Sequence, residues 1–130
     1  MRGLALAAAC AGIVLAANAS AAGPSVSPHV WGVKVSGSPA PLFNATWLLG
    51  IQEPSFTVTR NRALGVRGTV KIAGNQITFR DTSGPLACKG VQATGRYAWR
   101  IQGAKLSFAR LADKCIGRRT LMTATYTRVH

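Results

Sequence analysis

The residue types able to do chemistry are few, and the densest group is Asp113-x-Cys115-x-x-Arg118. An acid close to a guanidinium reads in two ways: a proton donor beside a cationic electrophile, or an ion pair that ties down a loop under a disulfide. Acid–base chemistry needs a partner base within reach of the reacting group, and no such group accompanies Asp113 in sequence. The ion pair is therefore the favoured reading. His29 lies in a Pro/Ser-rich stretch and His130 is the last residue; neither context orients an imidazole for Ser-His-Asp chemistry. Glu53 precedes Pro54 in a turn, the ordinary place for a solvated carboxylate. The sequence has no glycine-rich phosphate loop before a helix and no histidine pair at helical spacing. No catalytic residue, cofactor or metal site is expected, and the chain reads as a non-enzyme.

An address precedes the fold. Residues 1–21 begin with Arg2, run apolar over 4–17 and end in the small-x-small pattern Ala19-Ser20-Ala21, the features of a signal peptide. A membrane span needs about 20 apolar residues, which this run does not reach. Cys10, after Leu6-Ala7-Ala8-Ala9, faintly resembles a lipoprotein-processing site, but the apolar run is very short before it and continues past it. The expected product is exported, periplasmic or secreted, with no second hydrophobic span. In an oxidising compartment the remaining pair, Cys88 and Cys115, is expected to form a disulfide. Two cysteines and two distant histidines make a poor zinc set.

The elements that must carry these residues are strands. At 130 residues and 48% hydrophobic content, the chain is one domain with enough apolar surface for a core. That size excludes multidomain enzymes, and three acids exclude a carboxylate-rich metal site. Apolar residues recur at a period of two: Trp47, Leu49, Ile51; Val66, Gly68, Val70, Ile72; Ile77, Phe79; Tyr97, Trp99, Ile101. Such alternation puts one face in a core and the other in water. The pattern predicts eight strands over 29–36, 43–51, 55–60, 66–73, 75–80, 95–101, 104–110 and 120–129, with 111–119 a turn of helix or an irregular loop. The Ser/Gly/Pro-rich segment 22–41 holds the candidate first strand, and 42–130 forms the body of the domain.

A duplicated unit supports hairpins. Val70-x-Ile72-x-Gly74-x-x-Ile77-x-Phe79 recurs as Trp99-x-Ile101-x-Gly103-x-x-Leu106-x-Phe108. Turn geometry preserves such spacing, because a slip of one residue exposes the apolar face. Short links between consecutive strands predict an all-β antiparallel meander that closes into an up-and-down barrel.

Cys88, Gly95-x-Tyr97-x-Trp99, Gly103-x-x-Leu106-x-Phe108 and Asp113-x-Cys115-x-x-Arg118 together resemble small exported bacterial lipocalin-like (calycin-type) β-barrel domains. The similarity spans residues 42–130, with 88–118 the most diagnostic. The resemblance implies that Trp47 packs across a closed end and that Arg118 covers it. Ala45 stands where the lipocalin Gly-x-Trp pattern has glycine, which points to a looser, calycin-like relative.

Two uses follow. The resemblance implies a barrel holding a small apolar or amphipathic ligand, with Phe79, Tyr97, Trp99 and Tyr126 lining the cavity; the same aromatics could instead simply fill it. Inward Gly68 and Gly95 point either to local space or to bends in the sheet. The alternative use comes from charge. The sequence carries 16 Lys+Arg against 3 Asp+Glu, formally +13. Arg67, Lys71, Arg80, Arg96, Arg100 and Lys105 all fall on the polar phase of neighbouring strands, so they should form a basic patch on the outer wall. Such a patch suits an anionic envelope surface or an acidic protein, a secreted hydrolase to be inhibited included. Nucleic acid suits it poorly, because Tyr97 and Trp99 face away from Arg96 and Arg100 and offer no stacking platform.

Overall fold

The computed structural model describes residues 23–130; the expected leader over 1–21 and Cys10 lie outside the described residues. Eight antiparallel strands form one closed barrel in chain order: β1 (His29–Val35), β2 (Ala45–Gln52), β3 (Ser55–Arg60), β4 (Ala63–Ala73), β5 (Gln76–Ser83), β6 (Thr94–Gln102), β7 (Lys105–Asp113) and β8 (Tyr126–Arg128). The alternation does what it predicts. Trp47, Leu49 and Ile51 are buried on β2, and Ile77 and Phe79 on β5, while the residues between them are exposed or half-exposed. The duplicated unit marks two hairpins in one register. Val70 pairs with Phe79 and Ile72 with Ile77 across β4–β5; Trp99 pairs with Phe108 and Ile101 with Leu106 across β6–β7. Gly74 (φ 59°) and Gly103 (φ 61°) make the turns in the left-handed region that glycine enters without penalty. A third hairpin turns at Asn61 and Arg62, with φ of 50° and 73°, and the Asn61 side chain accepts the Thr46 N–H at 2.9 Å.

The C-terminal region departs from the expected strand over 120–129. The expected turn of helix in 111–119 is present as α1 (Ile116–Leu121), but it runs on through Thr120 and Leu121, and β8 shrinks to Tyr126–Arg128. Thr-rich sequence favours strand, but tertiary contacts decide otherwise. The Cys115 sulfur accepts the Arg118 N–H at the start of α1, and the Arg118 side chain is drawn inward. The short β8 still closes the barrel: Tyr126 and Thr127 pair with β7, while Thr127 and Arg128 pair with β1.

The two ends of the barrel differ. One end carries the tight turns of β2–β3, β4–β5 and β6–β7 and is stoppered by fully buried Val26, whose carbonyl accepts the Trp31 indole N–H at 3.0 Å. The other end carries the longer connections, α1 and the Cys88–Cys115 disulfide, whose Cα atoms are 6.1 Å apart. All three bulges of the sheet, on β4, β5 and β7, lie toward that second end. Bulges bend strands at barrel rims and re-aim side chains.

Candidate functional site

The bulges on β5 and β7 each stand beside an inward-facing aspartate. Asp81 pairs with Gly68 and Asp113 with Gly95, so each acid has a missing side chain opposite it. A Cβ on Gly95 would lie 2.5 Å from the Asp113 carboxyl carbon and 2.9 Å from Arg118 Nε. At Gly68 it would lie 2.5 Å from the Phe56 ring and closer still to the Arg80 carbonyl. Neither glycine opens empty space; each makes room for a neighbour.

Arg118 reaches from α1 between the two acids. Its Nε donates to Asp113 Oδ2 at 2.9 Å and its Nη1 to Asp81 Oδ1 at 3.2 Å. The same guanidinium donates to the carbonyls of Ala93 at 3.2 Å and Gln92 at 2.8 Å. The other carboxylate oxygens turn to the disulfide: Asp81 Oδ2 accepts the Cys88 N–H at 2.8 Å, and Asp113 Oδ1 accepts the Cys115 N–H at 2.9 Å. Tyr97 completes the cluster by donating its hydroxyl to Asp113 Oδ2. Burial first, then the Asp113 hydrogen bond and charge, push the Tyr97 phenol well above its ordinary value, so it stays a donor. Each of the three charges meets opposite charge and further hydrogen-bond partners, which is what buried charge requires. The cluster pins both cysteine segments and α1 to the barrel wall, and it leaves no base poised against a nucleophile.

Sequence reasoning singled out Asp113 and Arg118 but gave Asp81 no role. The signal was present: Ile77-x-Phe79-x-Asp81 continues the inward phase, and an acid on that phase needs a buried partner. Trp47 is buried near the same end, its indole donating to the Phe43 carbonyl at 3.0 Å. Trp47 and Arg118 both border a hollow of about 110 Å³ under α1, walled otherwise by Phe43, Val58, Leu121 and Met122 among others.

The expected ligand residues lie elsewhere. Phe79 and Tyr97 pack edge to face with centroids 6.3 Å apart, and Phe108 bridges Tyr97 to Tyr126 at 6.1 Å on each side. Phe56 joins at 5.1 Å from Phe79. These rings fill the barrel centre and touch one another. Burial also pushes the Tyr126 phenol far up, while its hydroxyl donates to the Leu121 carbonyl at 2.9 Å. Trp99 is half-buried at the edge of this group, and its indole N–H is buried without a partner. None of Phe79, Tyr97, Trp99 and Tyr126 lines the hollow under α1.

On the outer wall, pairing brings the cations together. Lys71 pairs with Thr78, and Thr78 pairs in turn with Arg96. Arg80 follows two residues along β5 on the same face, and Arg67 stands beyond it on β4. Thr78 is thus ringed by Lys71, Arg80 and Arg96. Arg100 and Lys105 form a second, diagonal pair on β6–β7, opposite Ser107 and Gln102. Lys105 also donates to Thr127 Oγ1 at 2.9 Å. None of these cations is in an ion pair. Asp81 and Asp113 are committed to Arg118, and Glu53, exposed as expected, accepts the Ile72 N–H at 2.8 Å. Of the 15 described Lys and Arg residues, Arg118 is the one in an ion pair.

The histidines, far apart in sequence, meet at the Val26-stoppered end, where His29 Nδ1 lies 3.1 Å from the His130 carbonyl oxygen. Asp81, Cys88 and Cys115 present ligand-type atoms within 4.8 Å of one another, but both sulfurs are spent in the disulfide. Among the described residues no helix is long and apolar enough to cross a membrane. Compared with protein-family models, curated proteins and solved structures, the chain matches none, so the likeness to lipocalins rests on its eight-stranded meander topology.

Proposed function

We propose that this is an exported, non-enzymatic barrel of the bacterial lipocalin-like (calycin-type) kind that works by docking its basic outer wall on an anionic partner. The observation that carries the reading is the ring of Lys71, Arg80 and Arg96 around Thr78, none of them in an ion pair, on a domain whose two aspartates are both committed to Arg118. Uncompensated like charges on adjacent strands repel one another and cost stability, and an anionic partner relieves that repulsion. The carrier reading loses ground for a physical reason. Ligand pockets commonly hold about 300–1,000 Å³, whereas the hollow under α1 holds about 110 Å³ and the expected ligand residues pack on each other. A second reading keeps that hollow as a site for a very small apolar molecule, since its walls are mainly Phe43, Trp47, Val58 and Met122.

Retention on a sulfated polysaccharide matrix tests the first reading. Binding should fall steeply with salt. In Lys71→Gln/Arg80→Gln/Arg96→Gln the slope of log affinity against log salt should be shallower by about 2 to 3, one counterion per lost contact. Salt-independent binding, or an unchanged slope in the triple variant, sinks it. Native mass spectrometry tests the second: a small adduct that leaves on unfolding supports it, and a bare mass speaks against it.

A further inference from the structure

Resting on the wall-docking reading, we infer that the anionic partner is a lipid surface, and that the α1 end of the barrel is the end that enters it. The two ends are built from different chemistry. At the Val26-stoppered end the turns are Glu53-Pro54, Gly74-Asn75 and Gly103-Ala104, polar or small throughout. At the α1 end, every connection exposes a large apolar side chain. Leu42 is 48% exposed on the β1–β2 connection and Leu64 36% exposed beside the β3–β4 turn. Val91 is 80% exposed on the β5–β6 connection, and Ile116 71% exposed at the start of α1 between β7 and β8. Among the described residues, five of the six exposed large apolar ones, Leu111 included, belong to this end.

Cations stand among them. Arg62 adjoins Leu64, Lys89 adjoins Val91, and Lys114 and Arg119 flank Ile116, all exposed. The two acids of this end, Asp81 and Asp113, are buried under Arg118 and show no charge to the surface. Separate apolar tips spaced among cations, with no exposed acid, fit a fluid anionic bilayer. Each apolar tip can sink below the headgroups while the neighbouring Lys or Arg meets phosphate. A protein partner would instead need a contiguous apolar patch with a shaped, water-excluding centre. The Lys71–Arg80–Arg96 ring lies on the side wall, where it docks on headgroup phosphates while the apolar tips of the α1 end insert.

The test uses the full chain, exported through its leader and purified from an oxidising compartment. Co-sedimentation is measured with vesicles of phosphatidylcholine alone and with vesicles containing a third phosphatidylglycerol. Retention on the sulfated matrix is measured in parallel. Binding is expected only to the anionic vesicles. Val91→Ser/Ile116→Ser removes two solvent-exposed apolar side chains without changing the charge, and should weaken vesicle binding at least about tenfold while leaving matrix retention unchanged. Arg62→Gln/Lys89→Gln should cost about fivefold per charge on vesicles. Vesicle binding undiminished in Val91→Ser/Ile116→Ser overturns the inference about this end. Matrix retention without any vesicle binding overturns the lipid assignment and points to an acidic macromolecule on the wall. Failure of both assays overturns the wall reading together with the inference.

Discussion

Replacing Arg118 by methionine tests the Asp81–Arg118–Asp113 cluster most sharply. The change keeps side-chain bulk but removes four hydrogen bonds, at 2.9 and 3.2 Å to the acids and at 3.2 and 2.8 Å to the carbonyls of Ala93 and Gln92. It strands two carboxylates whose side chains are 5% and 0% exposed. Breaking a buried ion pair from one side costs about 3–5 kcal/mol, against roughly 5–15 kcal/mol for a whole domain. With a urea dependence of about 1.5 kcal/mol per molar, the midpoint should fall by about 2–3 M. Arg118→Lys should fall between, because one ammonium cannot span both acids and both carbonyls. The triple variant Asp81→Asn/Arg118→Met/Asp113→Asn is the control. Asparagine keeps an acceptor for the Cys88 and Cys115 N–H groups and removes the stranded charge, so stability should return most of the way to wild type. Urea unfolding followed by far-ultraviolet circular dichroism reads all three. A loss under about 1 kcal/mol for Arg118→Met, or a triple variant as unstable as the single, would refute the reasoning.

Four further variants test the same structure. Cys88→Ser/Cys115→Ser should lose about 3.5 kcal/mol by loop-closure entropy, given a sequence separation of 27, measured by urea unfolding without reductant. Gly68→Ala should cost about 3 kcal/mol by forcing a methyl group onto the Phe56 ring and the Arg80 carbonyl. Gly74→Ala, with open space but φ of 59°, should cost only about 1 kcal/mol. At high pH the two buried tyrosines set the slope. Their phenols are raised in the folded state, so the stability they contribute is intact below the unfolded value of about 10 and is lost as pH rises above it. Tyr126→Phe should remove one proton, about 1.4 kcal/mol per pH unit, from the fall in stability above pH 10, as read from unfolding curves at pH 9 to 11.5.

Most of the barrel was legible because half-buried strands write their geometry into the sequence at period two, and because the β4–β5 and β6–β7 hairpins repeat one spacing around Gly74 and Gly103. The expected strand over 120–129 survives only at 126–128 and fails at its start, where local propensity met long-range chemistry. Thr120 and its neighbours favour strand, yet Arg118 must reach Asp81, which is 37 residues away, and Cys115 must start a turn. Asp81 passed unnoticed because its partner is remote in sequence, although its inward phase marked it. Whether the barrel was hollow could not be read from composition. The answer depended on which side chain enters the gap left by each glycine, and at Gly68 and Gly95 those are Phe56, Asp113 and Arg118.

The most direct measurement of the docking claim is a residue-by-residue titration. Backbone amide shifts of the labelled protein are followed by NMR as a short polyphosphate is added at low salt. The account predicts saturable shifts centred on Lys71, Thr78, Arg80 and Arg96, lost on adding salt, with the amides of Phe79 and Tyr97 moving less than those of their outward-facing neighbours. No saturable shifts on the β4–β6 wall, or shifts there that persist unchanged at high salt, would contradict it.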